Sequence, residues 1–137
     1  MAVKKSNGVG LSAPQINKTH QIFIIASYPN KRYPKAPRMK PTIIINPKIL
    51  ASSKKMIKDW EGCLSIPGIR GLISRHQSIK VEYTKINGEK KKGQFKNFIA
   101  RVFQHEYDHL QGIVFLDRLK SVKDIITDKE YYKLIKK

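Results

Sequence analysis

The sequence predicts an α+β fold, on three observations. Ile79, Val81 and Tyr83 alternate with polar residues and run into Asn87-Gly88, the pattern of a half-buried strand entering a tight hairpin turn. Beyond that turn the apolar period changes. Phe98, Val102, His105 and His109 follow at steps of 4, 3 and 4, which places them on one helical face. Extended patterns also fill the first two thirds of the chain and helical ones the last third, an order unlike the alternation of βαβ units.

Taken in order, residues 8–15 (GVGLSAPQ) read as a glycine-rich loop entering an extended segment, and residues 21–27 (QIFIIAS) as a buried strand. Pro29, Pro34, Pro37 and Pro41 make residues 29–41 a loop. Residues 42–45 form a β-branched run that Pro47 is expected to stop. A return strand near Gln94-Phe95 completes the hairpin. Asn97 is expected to cap the following helix and Gly112 to end it. Thr127 and Glu130 have capping-box spacing before Tyr131, Leu134 and Ile135, so a short C-terminal helix follows.

Composition narrows the class. A chain of 137 residues, 40% hydrophobic, suits one compact domain and argues against wholesale disorder. No apolar run has the length of a membrane span, and MAVKKSNGVG carries no apolar stretch of the kind found in signal peptides. Cys63 is the lone cysteine, so no internal disulfide can form and a reducing compartment is expected. That points to a bacterial cytoplasm or an organellar matrix rather than secretion. The net charge of +18 is spread along the chain, which favours general solvation over a specific DNA-binding site, while leaving a weak attraction to ribosomal RNA.

The sharpest chemical signal is His105-Glu106-Tyr107-Asp108-His109, an H-E-x-x-H on the expected helix. Two histidines four apart on one face can hold a metal ion, and the adjoining glutamate can take a proton from water. A catalytic metal usually has three protein ligands, so a third is needed. Glu130 is one candidate, although its capping-box position competes. Cys63, within Glu61-Gly62-Cys63-Leu64-Ser65, is the other; its competing role is that of a small buried hydrophobe.

Three segments resemble the motifs of peptide deformylases: Gly8-Val9-Gly10-Leu11-Ser12-Ala13-Pro14-Gln15, Glu61-Gly62-Cys63-Leu64-Ser65 and Gln104-His105-Glu106-Tyr107-Asp108-His109-Leu110. Similarity continues through Ile45-Asn46-Pro47, through residues 66–71 and through Ala100-Arg101. The resemblance implies antiparallel sheets packed around a central helix that carries the two histidines, in a single catalytic domain over residues 1–137. It implies Cys63, His105 and His109 as ligands of one divalent ion, Fe(II) first and Zn(II) as the alternative. It makes Glu106 the proton carrier, with the Gln15 amide and the Leu64 backbone N–H as donors to the formyl oxygen. Val9, Phe98 and Val102 would line the methionine pocket, Gly10 would belong to the substrate-binding residues, and Arg70 would contact the substrate backbone. Glu61 and Arg75 would pair and brace the Cys63 segment. The implied substrates are N-formylmethionyl peptides, with transient ribosome association.

Family members usually carry a helix before the first motif, and seven residues precede Gly8 here. The expectations from this departure are lower stability and, as the competing function, a weakly active or inactive relative that binds formyl peptides or ribosomes. A peptidase using Glu130 and a basic RNA-binding protein are the remaining alternatives.

Overall fold

The computed structural model describes residues 9–12 and 21–135. Strand β1 (Gly10–Ser12) pairs with β2 (Ile22–Ile25), and β2 with β3 (Thr42–Ser52). Strands β4 (Met56–Cys63) and β5 (Ile66–His76) form a hairpin; β6 (Ser78–Thr84) and β7 (Lys90–Lys96) form a second. Helix α1 (Asn97–Leu110) follows. After short 3-10 turns come β8 (Ile125–Thr127) and helix α2 (Asp128–Ile135). The strands make a five-stranded sheet in the order β1-β2-β3-β6-β7 and a three-stranded sheet in the order β4-β5-β8, with every pair antiparallel.

Helix α1 lies between the sheets. One side puts Ala100, Val102 and Phe103 against Phe23, Ile25, Ile44, Ile79 and Val81 of the larger sheet. Phe103 meets Phe23 edge to face at 5.0 Å, and burial of rings this large dominates such a core. The opposite side faces β4 and β5, where Cys63, Ile73 and Phe115 form a smaller apolar cluster. The helix is therefore buried almost all round, although Arg101, Gln104, His105, Glu106, Asp108 and His109 are polar. Buried polar groups are tolerated only when partnered or put to chemical use, so this stripe already marks a site.

The expected α+β architecture, the central helix and the short C-terminal helix are all present. The Asn87-Gly88 turn joins β6 to β7, with Gly88 at φ +90°. Gly112, at φ +76°, returns its N–H to the His109 carbonyl just past the end of α1. Thr127 Oγ1 accepts the Glu130 N–H at 3.2 Å, the N-terminal half of the expected capping box. The Glu130 carboxylate turns to Lys133 instead of completing it.

Two local expectations fail. Pro47 does not stop β3, which continues to Ser52. The register shifts between Ile45 and Lys48, with Asn46 at φ +47°, and that bulge absorbs the N–H that proline lacks. Asn97 does not cap α1. It takes φ +55°, no side chain closes the first turn, and its Oδ1 accepts from Gln77 at 3.4 Å. Strands β4, β5 and β8 carry no simple alternation and were not anticipated from the sequence. Among the described residues no helix is long and apolar enough to cross a membrane.

Candidate metal centre

The β4–β5 hairpin delivers Cys63. A register shift between Glu61 and Cys63 turns the end of β4, and Cys63 pairs with Ile66 across the two turn residues Leu64 and Ser65. Gly62 leaves room for two arginines there: a Cβ would stand 2.7 Å from Arg32 Nη2 and 3.0 Å from Arg70 Cδ, so any other residue would push the guanidinium of Arg32 aside and press on the buried Arg70. Helix α1 supplies His105 and His109, one turn apart and both buried. Cys63 Sγ lies 3.3 Å from His109 Nε2, which lies 3.0 Å from His105 Nε2. The three ligand atoms all fall within 4.8 Å of one another. Two donors on one tetrahedral ion stand about 3.3–3.6 Å apart for bonds of ~2.0–2.3 Å. The triangle therefore fits a single divalent cation.

Burial alone would raise the Cys63 thiol, but hydrogen bonds from both histidines outweigh it and bring the thiol down to about 5. The cluster thus holds thiolate, the form that binds metals. Burial would lower His105, yet its contacts with Cys63 and Glu61 hold it well above the ordinary imidazole range. In the metal-free protein this describes a coupled thiolate–imidazolium cluster, whose protons a bound cation would displace.

Glu61 orients the histidine from behind. Its Oε1 meets His105 Nδ1 at 3.0 Å, leaving Nε2 to face Cys63 and His109. Arg75 donates to both Glu61 oxygens at 2.8 and 2.9 Å, and Arg101 donates to Oε2 at 2.6 Å. Burial would raise the Glu61 carboxyl, but Arg75 and His105 hold it well below the usual carboxylate range. Arg75 continues to Asp108 at 2.6 Å, which also accepts from Arg118. The expected Glu61–Arg75 pair is therefore a fully buried network. Asp108, which the sequence leaves between bracing a metal ligand and facing solvent, and Arg101 are parts of it. No local signal marked Arg101, because its partners Glu61, Ile57 and Ile73 lie on strands distant in sequence.

Glu106 stands apart from this network. It is buried, and among the described residues its Oε1 has no hydrogen-bond partner. Burial is the largest influence and raises its carboxyl to about 7, despite the nearby histidines. A side chain on Gly10 would reach to within 2.6 Å of Glu106 Oε2, so β1 passes directly over the carboxylate.

A cavity of ≈ 40 Å³ opens beside the triangle. At ~10–15 Å³ per water-sized group it holds about three such groups. Val9, Gly10, Phe98, Val102 and Leu64 line it together with Cys63, His105 and Glu106. Arg70 is elsewhere. It is completely buried behind Gly62, bonded through Nε to Asp128 at 3.0 Å and stacked at 4.2 Å on Tyr131 and 5.0 Å on Tyr33. Among the described residues its remaining nitrogens have no hydrogen-bond partner, and aromatic faces compensate part of that burial. A contact between Arg70 and the substrate backbone does not fit this placement. Arg32 and Tyr33, which the sequence did not single out, reach the cavity instead. Gln15 lies outside the described residues. Glu130 is exposed and salt-bridged to Lys133 at 3.2 Å, away from the triangle.

The polypeptide deformylase family model matches residues 1–124. The chain belongs to that family. It is 53% identical over 135 residues to peptide deformylase 2 of Nostoc sp., covering 98% of this chain and 75% of that protein. It is 48% identical over 114 residues to peptide deformylase 2 of Shewanella oneidensis, covering 83% of this chain and 63% of that one. Its fold is similar, at a TM-score of 0.83 and 44% identity, to a class I type b peptide deformylase from Acinetobacter baumannii bound to Met-Ala-Ser, over 85% of this chain and 74% of that one. The deformylase fold therefore accounts for both sheets and the helix between them.

Proposed function

We propose that this chain hydrolyses the N-terminal formyl group of formyl-methionyl polypeptides, with Cys63, His105 and His109 holding one divalent ion. The observation that carries this is the Cys63–His105–His109 triangle beside the buried Glu106 carboxylate, whose Oε1 has no partner among the described residues. One thiolate and two imidazoles suit Fe(II) or Zn(II); Fe(II) is the first choice, with its thiolate ligand making activity sensitive to air. Such an ion supplies Lewis acidity and makes water nucleophilic near neutral pH.

The protein's own groups do the rest. The methionine side chain enters the cavity along Val9, Gly10, Phe98 and Val102, which sets the formyl carbon beside the triangle. Glu106 takes a proton from the attacking water and passes it to the departing amine, so that a formamide and water give formate and a free amino terminus. The N–H of Leu64 donates to the formyl oxygen as negative charge builds there, and the resemblance assigns the second donation to the Gln15 amide. Loss of one such donor typically costs about 2.7–4 kcal/mol in the transition state. The basic surface supports a weak, salt-sensitive association with ribosomes.

An anaerobic assay on formyl-Met-Ala-Ser, with Fe(II), Ni(II) or Zn(II) supplied, tests the proposal. Turnover well above a Glu106→Ala control is expected. Equal rates would overturn it.

A further inference from the structure

The arginines around the metal centre divide sharply. Arg75 and Arg101 bond Glu61, Arg118 bonds Asp108 and Arg70 bonds Asp128. Arg32 borders the cavity next to Gly62 and Cys63, yet no carboxylate lies within ion-pairing distance of it among the described residues. Its position is built. Asn30 Oδ1 accepts the N–H groups of Arg32 and Tyr33 at 2.9 and 3.1 Å, which fixes the turn. The guanidinium rests 5.6 Å over the Tyr33 ring; that ring meets Phe98 edge to face at 5.3 Å, and its hydroxyl accepts the Gly62 N–H at 3.2 Å. Residues 29–41, the loop that carries Arg32, hold five Lys or Arg and no acidic residue.

We propose that Arg32 binds a carboxylate at the mouth of the active site. The inference rests on the deformylase reading and deepens it. A planar guanidinium already held against an aromatic ring, with no internal counter-ion, matches a carboxylate in two-point geometry and loses little freedom on binding it. Two sources offer that chemistry: an acidic side chain soon after the methionine of the peptide, and the formate released by the reaction.

The test uses the metal-loaded full chain and amidated peptides, which carry no terminal carboxylate. Formyl-Met-Xaa-Ser-amide and formyl-Met-Ala-Xaa-amide, with Xaa as Glu or Gln, give a Glu:Gln ratio of kcat/KM at each position. Inhibition by sodium formate gives a second arm. Dissociation constants of the deformylated amides, taken by calorimetry, give a third that needs no turnover. The wild type is expected to favour Glu at one position, or to bind formate, by about tenfold over Arg32→Gln, the low end for a charge-assisted hydrogen bond. The Glu preference should shrink as salt is raised. A Glu effect without a formate effect assigns the peptide, and the reverse assigns the product. Ratios within twofold in the wild type, or unchanged by Arg32→Gln in all three arms, would overturn the proposal. Absence of turnover on the Gln peptides would count against the deformylase reading instead, and calorimetry would still decide on Arg32.

Discussion

At the scale of single residues, two carboxylates one helix apart in role show how environment assigns chemistry. Glu61 sits among Arg75, Arg101 and His105 and stays ionised, while Glu106, buried without such partners, is raised to about 7. A base near neutral is what proton transfer to a leaving amine requires. A cation in the triangle would pull Glu106 downward, so the acid limb of the kcat/KM profile should fall between 4.5 and about 7. Glu106→Gln should lower kcat by about 10²–10⁴-fold and leave metal content unchanged. Comparable metal contents measured by mass spectrometry, with no fall in kcat, would remove Glu106 from the mechanism. Stability moves the other way. A carboxyl raised on folding favours the folded state below its unfolded value and loses that contribution as pH climbs through about 7. The gain in Tm of metal-free Glu106→Gln over metal-free wild type should therefore be larger at about pH 8 than at about pH 5. His105, Glu106 and His109 stood out in the sequence because they share one short motif on one helix, whereas Cys63 joined them only through the resemblance. Arg32 and Arg101 did not stand out, since their roles depend on contacts with segments distant in sequence.

At the scale of elements, the β4–β5 hairpin and α1 are joined by Glu61, which belongs to the first and fixes a histidine of the second. Glu61→Gln keeps the shape but removes the charge that aligns His105 and neutralises Arg75 and Arg101. Metal affinity should drop about 10–100-fold, as is usual when the partner behind a ligating histidine is lost. Chelator competition measures this, and unchanged affinity would show that Nε2 of His105 is placed by packing alone. These elements differ in how far the sequence reveals them. The β6–β7 hairpin and α1 were legible because alternation, Asn87-Gly88 and the 4-3-4 spacing each report a half-buried surface. Strands β4 and β5 were not, because one end of β4 is exposed and the other wholly buried, so neither alternation nor a continuous apolar run survives. Pro47 misled for a related reason: a bulge hides from local rules the cost that proline normally imposes.

At the scale of the whole molecule, the ligand set spans a seam. Cys63 belongs to the three-stranded sheet and its small apolar cluster, whereas His105 and His109 belong to the helix that completes the core of the five-stranded sheet. One ion bound to all three would hold the two halves together, and it would bind the folded chain far better than the unfolded one. Free metal at about a thousand times its dissociation constant adds about 4 kcal/mol to stability, which for a chain of this size raises Tm by about 10–20 °C. Stripping the metal with a chelator should lower Tm by that amount. In Cys63→Ala, which leaves only the two imidazoles, the metal-dependent shift should nearly vanish. A chelator-induced drop of the same size in Cys63→Ala would mean that the stabilising ion binds elsewhere. No metal-dependent shift in the wild type, with metal bound stoichiometrically, would show that the unfolded chain binds the ion as tightly as the folded one, and that bridging the seam adds nothing to its affinity.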